Sequence, residues 1–216
     1  MSNKYLLTHD GRESVELKIQ QLKAKLALNS SEDEKATIEE NISELEEVLM
    51  NGSVVSVNAA GNKHQLTVDG YIEMNNKLFE MKNVTLPQII VALQEARAQG
   101  DLSENAEYDA ARDEQARIVN EISKLEDDLK NFIIIGDSKT NNLGRRITVL
   151  YLDDNEEYEF VLVGSSLEVN PLEDRISKDS PLGKGVLEAK VNDVVTIKPE
   201  NGTELKVKLL KIEEKK

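Results

Sequence analysis

The sequence predicts an α+β protein, with antiparallel coiled-coil hairpins (one short, one long) first and a small β-rich domain last. Three observations carry this prediction. Apolar residues recur at 4, 3, 4 spacing through the first two thirds of the chain, the seam of packed helices. A short motif, Leu-Thr-x-Asp-Gly, occurs twice, at Leu7–Gly11 and Leu66–Gly70. From Ile147 onward the pattern changes to short β-rich runs separated by turn residues, the mark of strands.

Residues 1–63 read as a short helical hairpin. Val15, Ile19, Leu22 and Leu26 form the first arm's seam. The polar stretch Asn29–Glu34 supplies cap residues and early acids for a turn. Ile38, Ile42, Leu45 and Leu49 form the returning seam, and Asn51-Gly52 ends it.

Residues 64–137 repeat this plan on a larger scale. Ile118, Ile122, Leu125 and Leu129 match Ile38, Ile42, Leu45 and Leu49, and Ala116, Ser123, Glu126 and Asn131 also have identical counterparts. The repeat starts with an offset of 59 residues (Leu7 to Leu66) and ends with one of 80 (Ile38 to Ile118). The second copy is therefore 80 − 59 = 21 residues longer, all of it around the tip. Shared evenly, that lengthens each arm by roughly 10 residues, or ~15 Å. The arm from Gly70 to Ala98 would span ~40 Å if wholly helical, with Pro87 expected to kink it or restart it.

Residues 144–216 read as the β-rich domain, joined through the turn-rich stretch Asp137–Gly144. Ile147–Leu152 and Tyr158–Val163 are strands around the turn Asp153–Glu156. Val194–Ile197 and Glu204–Leu209 pair around Asn201-Gly202, a strong hairpin signal. A short helix fits near Pro181–Ala189.

Composition narrows the function. The 216 residues carry 41 acidic and 27 basic side chains, a net charge of −14, spread as −4, −7 and −3 over residues 1–63, 64–143 and 144–216. No block is the basic island that holds duplex DNA by counterion release. There is no cysteine, which excludes disulfides and thiolate chemistry, and His9 and His64 are too few for a histidine-rich metal site. No apolar run approaches the ~18 residues of a membrane span, and the N-terminus lacks a signal-peptide pattern. A cytoplasmic protein is expected.

The densest chemistry lies at the tip of the long hairpin, Glu95–Arg112. Gly100 suits the end of one helix, and Asp101 can cap the next with Glu104 three residues on. On spacing alone this is a capping-box-like arrangement, in which carboxylates answer free helical N–H groups. The alternative is that two protruding carboxylates share a divalent cation. Mg²⁺ takes oxygen ligands and keeps several waters, so a partner would complete the shell.

The segment Gly100-Asp101-Leu102-Ser103-Glu104-Asn105-Ala106-Glu107-Tyr108, together with Leu66-Thr67…Gly70, Pro87–Ile90 and Asp179–Gly185, closely resembles the bacterial Gre factors, the transcript cleavage factors of RNA polymerase. The likeness covers residues 66–216. It implies a coiled-coil hairpin that enters the secondary channel of bacterial RNA polymerase and an FKBP-like domain that docks at the channel rim. It also implies that Asp101 and Glu104 direct a Mg²⁺ held jointly with the polymerase. The polymerase itself, through two-metal chemistry, then cuts the backtracked RNA. Arg97 and Arg112 match a basic patch beside the nascent RNA 3′ end, and Asp179, Ser180 and Pro181 match the loop that contacts the polymerase's rim coiled coil. Bland readings stand beside these: solvated hairpin charges for the arginines, a helix start for Ser180-Pro181, and a solvated helix face for Glu107. A prolyl isomerase is not expected, since Tyr151, Tyr158 and Phe160 all fall in strand patterns.

Gre factors have one hairpin, whereas this chain has a second, blunted copy with Ser31-Glu32-Asp33-Glu34 at its tip. A bracing role is the plainest expectation for it; a further polymerase contact or a regulatory arm are the alternatives. Three functions compete. The first is a cleavage factor that is itself no enzyme and acts as a monomer. The second is a Gre-related inhibitor occupying the same channel, against which the intact Asp101/Glu104 pair argues. The third is a coiled-coil binding or chaperone module.

Overall fold

The computed structural model describes residues 5–28, 31–56, 63–98, 106–136, 141–199, 202 and 204–214. The chain forms two compact units: Met1–Gly70 with Phe132–Lys216, and Tyr71–Asn131.

In the first unit, β1 (Tyr5–Leu7), β2 (Gly52–Val54), β3 (His64–Leu66) and β4 (Phe132–Ile134) build one sheet in the order β2-β1-β4-β3. Every pairing in it is parallel. Parallel neighbours need a crossover, and here each crossover is a helical hairpin. The two copies of the repeat thus begin and end in adjacent strands of a single sheet. Their hydrogen bonds repeat as well: Val55 N–H donates to the Leu7 carbonyl at 2.8 Å, and Ile135 N–H to the Leu66 carbonyl at 2.9 Å. Thr8 N–H donates to the Ile134 carbonyl at 2.9 Å and joins one copy to the other. Phe132, Ile133 and Ile134 are all buried, as an unbroken apolar run in a strand covered on both faces must be.

The repeated Leu-Thr-x-Asp-Gly motif is the joint between strand and helix. Leu7 and Leu66 are fully buried strand ends. Thr8 accepts the Gly11 N–H at 2.9 Å and Thr67 the Gly70 N–H at 3.0 Å, each capping a helix start. The glycines permit close approach: a Cβ on Gly11 would run into the Ile134 carbonyl, and one on Gly70 into the Glu168 carboxylate.

Between β1 and β2, α1 (His9–Ala27) and α2 (Glu32–Asn51) pack through Val15, Ile19, Ile38, Ile42, Leu45 and Val48, all buried. Leu22, Leu26 and Leu49 are only half-buried. At the tip, Ser31 accepts the Glu34 N–H while the Glu34 carboxylate accepts the Ser31 N–H, a complete capping box. Glu32 pairs with Lys35 at 2.9 Å.

The same unit holds the C-terminal sheet. Its strands are β5 (Arg145–Tyr151), β6 (Glu157–Val163), β7 (Arg175–Ser177), β8 (Val194–Ile197) and β9 (Leu205–Glu214), in the order β7-β6-β5-β9-β8. All pairs are antiparallel except β6 with β7. Ile147, Val149, Phe160, Leu162, Ile197, Val207 and Leu209 form the core, closed by Val186 of α6 (Pro181–Val186). Ile133 and Ile135 pack with Leu143 and Leu187, so the two sheets share one apolar layer.

The second unit is the long hairpin. α3 (Val68–Glu80) runs through a π-helical stretch, Met81–Thr85, into α4 (Leu86–Ala98), and α5 (Ala106–Asp128) returns. Pro87 therefore does not restart the arm: Glu80 and Leu86 both keep helical backbone on either side of the π-helical stretch. Proline cannot donate to the carbonyl four residues back and crowds it. The turn before it instead widens to i→i+5 pairing, with Leu86 N–H reaching the Met81 carbonyl and the Asn83 side chain donating to the Phe79 carbonyl at 2.9 Å. Met81, Ile118 and Ile122 form the buried seam. Lys77–Glu121 (2.7 Å) and Lys82–Glu126 tie the arms from outside.

Among the described residues, the outgoing arm carries more of the excess length than the returning arm. The outgoing arm is helical from Val68 to Ala98 against His9 to Ala27 in the short copy, ~46 Å against ~29 Å at helical rise. The returning arm, α5, has 23 residues against 20 in α2.

Candidate functional site

α4 ends at Ala98 and α5 begins at Ala106. Asp101 and Glu104, the expected metal-directing pair, lie between them, outside the described residues, as do Gly100 and Ser103. What is described is the frame on either side. Arg97 stands in the last turn of α4, and Tyr108 in the first turn of α5. The Arg97 guanidinium carbon lies 5.8 Å from the centre of the Tyr108 ring, and its Nη2 donates to the phenol oxygen at 3.4 Å. Arg97, Tyr108 and Arg112 line one groove of about 280 Å³, with Gln94 and Gln115 beside them. Both arginines thus come together in one place. Glu107 is exposed.

Electrostatics separates these two arginines from Arg117, their neighbour on the same hairpin. Arg117 holds Glu114 at 2.6 Å and Glu121 at 3.3 Å; that hydrogen bond holds the Glu114 carboxyl below its ordinary range. Arg12, Arg146 and Arg175 also hold carboxylates. Among the described residues, Arg97 and Arg112 hold none. In a chain of net charge −14, two guanidinium groups in one groove without a described acidic partner are available to an incoming anion.

The expected docking loop is built around a helix start. Ser180 accepts the Gly183 N–H at 2.9 Å and Pro181 occupies the first turn of α6, so the cap reading of Ser180-Pro181 is realised. Asp179 is exposed, 3.5 Å from Lys178. Of the domain's aromatics, Phe160 is in the core, Tyr151 packs against it, and Tyr158 lies exposed with its hydroxyl on Asp174. A hollow of about 660 Å³ is lined elsewhere, by residues including His9, Asp10, Ser56 and Lys178.

Two residues escaped the sequence reading. Glu168 is buried at 6% exposure. It accepts Thr67 N–H (3.2 Å), Thr67 Oγ1 (2.5 Å) and Gly164 N–H (3.2 Å), which locks the joint of β3 and α3 to the C-terminal domain. Tyr108 is the other; its place just across the tip from Arg97 was the available signal. Among the described residues, no group of three or more His, Asp or Glu is placed to hold a metal, and no helix is long and apolar enough to cross a membrane.

A long helical hairpin continuous with a strand of a small parallel sheet, in a chain that also carries a C-terminal β sheet, defines a hairpin-bearing α+β protein. Comparison with known proteins makes this specific. Residues 64–134 match the family model "Transcription elongation factor, N-terminal", and residues 137–214 match "Transcription elongation factor, GreA/GreB, C-term". The chain is 38% identical over 153 residues to transcription elongation factor GreA of Staphylococcus saprophyticus, covering 69% of this chain and 96% of that one. It is 40% identical over 151 residues to GreA of Listeria monocytogenes, covering 68% and 93%. Among solved structures it is similar to GreA factor homolog 1 of Thermus thermophilus, at 27% identity, 70% and 99% coverage and a TM-score of 0.34. The chain belongs to the GreA/GreB family of transcription elongation factors. Both family models begin after residue 63, so the short hairpin lies outside them.

Proposed function

We propose that this protein is a cytoplasmic, monomeric elongation factor that inserts its long hairpin into the secondary channel of RNA polymerase and stimulates cleavage of backtracked RNA. The observation that carries the reading is the run Gly100–Tyr108 in a chain whose family match spans both hairpin and β domain. Asp101 and Glu104 are hard oxygen donors three residues apart, a set that suits Mg²⁺ when another molecule supplies the remaining ligands. When bound, Mg²⁺ would stabilise the charge on the attacking and leaving oxygens. The tip carboxylates would position a water and accept its hydrogen bond. Arg97 and Arg112 would hold the displaced RNA by its phosphates. The exposed Asp179, beside the Ser180-capped helix, would meet the polymerase at the channel rim. The protein cuts nothing alone; the bond is broken in the polymerase's own active site.

The test is to add the protein to purified, halted and backtracked elongation complexes in Mg²⁺ buffer. Release of short 3′ RNA fragments, followed by resumed elongation, is the expected result. Blocked elongation without cleavage would instead identify a channel-occupying inhibitor, and no association with polymerase would overturn both readings.

A further inference from the structure

We propose that Tyr108 is a positioning residue: its ring is the platform that holds the Arg97 guanidinium over the groove between α4 and α5, where a single-stranded RNA segment is received. The inference rests on the cleavage-factor reading and names a residue that the reading leaves without a role. Arg97 is an exposed side chain at the last turn of a helix, and a free arginine there samples many rotamers. The ring contact at 5.8 Å and the 3.4 Å bond to the phenol oxygen restrict it. A stacked guanidinium is still able to donate from its outer N–H groups, which suits a phosphate. The groove itself, at about 280 Å³, is smaller than the roughly 300–1,000 Å³ of closed small-molecule pockets. It is open, and Ile90, Leu93, Gln94, Arg97, Arg112 and Gln115 line it together with Tyr108. Two guanidinium groups and an aromatic ring on an open groove fit a strand laid along it, as single-stranded nucleic acid sites do. Tyr108 also sits two residues inside the start of α5, so one contact braces the ends of both arms around the tip.

The experiment uses full-length protein with halted polymerase complexes whose backtracked RNA carries 4-thiouridine at its 3′ end. Photo-crosslinking to the factor and the maximal cleavage rate at saturating factor are both read. Tyr108→Leu is expected to lower both by roughly two- to fivefold, the range an exposed cation–π contact supports, with the half-saturating factor concentration unchanged. Tyr108→Phe, which keeps the ring, is expected to retain most of both. In an Arg97→Ala background, Tyr108→Leu is expected to add no further loss. Wild-type behaviour of Tyr108→Leu, equal losses for the Phe and Leu variants, or additive losses in the double variant would each overturn the proposal. Crosslinking that follows this pattern without any cleavage would uphold the positioning role and sink the cleavage reading. Absence of crosslinking with cleavage intact would do the reverse.

Discussion

Glu168 is the residue on which the most geometry converges. A lone acid in a short turn, Ser166–Glu168, has the sequence signature of a solvated side chain. It is buried because three donors meet there: two backbone N–H groups and the Thr67 hydroxyl. Removing it strands those donors away from water, which costs far more than the net worth of one hydrogen bond. Glu168→Ala is therefore expected to destabilise the protein by about 2–4 kcal/mol, read as a lowered urea midpoint. A change under about 0.5 kcal/mol, the size of an ordinary surface substitution, would show that water replaces the carboxylate freely. Gly70 belongs to the same joint. Its hydrogen leaves room for the carboxylate, so Gly70→Ala is expected to destabilise by about 1–3 kcal/mol through overpacking, again by urea titration.

At the scale of elements, the two hairpins differ in what their charges do. The short hairpin commits two of its tip acids locally: Glu34 completes the cap of Ser31, and Glu32 meets Lys35. Ser31→Ala is expected to cost about 1 kcal/mol of stability, measured in urea. The long hairpin instead uses acids on α5 to hold lysines on the opposite arm. Hydrogen bonding to Lys77 holds the Glu121 carboxyl below its ordinary range, and hydrogen bonding to Lys82 does the same for Glu126. A lowered carboxylate pKa stabilises the folded state above the unfolded value, and that contribution is lost as pH falls through the folded value. A Lys77→Gln/Lys82→Gln variant is thus expected to melt slightly below wild type at pH 7 and level with it at pH 3. The gap should be small and should narrow further in 1 M salt, since both pairs are exposed; thermal melts followed by circular dichroism at the two pH values measure it.

These arms were the legible part of the chain. Val15, Ile19, Ile38, Ile42, Ile118 and Ile122 all carry helical spacing, and all are buried. The four strands of the shared sheet were not legible. Each has three residues, too few to display a period, and their pairings join Leu7 to Ile134 across the whole long hairpin. β7 was missed for the same reason. The i→i+5 turn before Pro87 is one of several ways a helix accommodates proline, and residue types alone do not select among them. At the site, the gathering of Arg97 and Arg112 follows from the antiparallel pairing of α4 with α5, whereas the stacking of Arg97 on Tyr108 depends on how the arms end.

For the whole molecule, the duplication has a structural consequence. The short hairpin is a partner in the sheet from which the long hairpin springs. Thr8 and Gly11 close on Ile134, and Gly136 lies against Asp10. Deleting residues 1–60 removes β1 and β2, opens the edge of β4 and uncovers Ile134, which is fully buried in the intact chain. Open apolar edges recruit other chains, so the deletion variant is expected to unfold at lower urea and to self-associate, as read by light scattering. A monomeric variant of unchanged stability would contradict the bracing role. The acid excess of the whole chain takes on a sharper meaning too. Glu46, Glu121, Glu126 and Glu34 are committed to cross-arm pairs and a cap, while Arg97 and Arg112 stand in the groove of the long hairpin without a described acid.

The central claim is that the tip carboxylates of the long hairpin, rather than any general property of the coiled coil, support cleavage. The most direct measurement is the cleavage rate of backtracked complexes with Asp101→Ala and Glu104→Ala at factor concentrations that saturate polymerase. Loss of cleavage by a hundredfold or more, on the order of what positioned acid–base groups contribute, with polymerase binding retained, is the predicted result. Cleavage at the wild-type rate by either variant would contradict it.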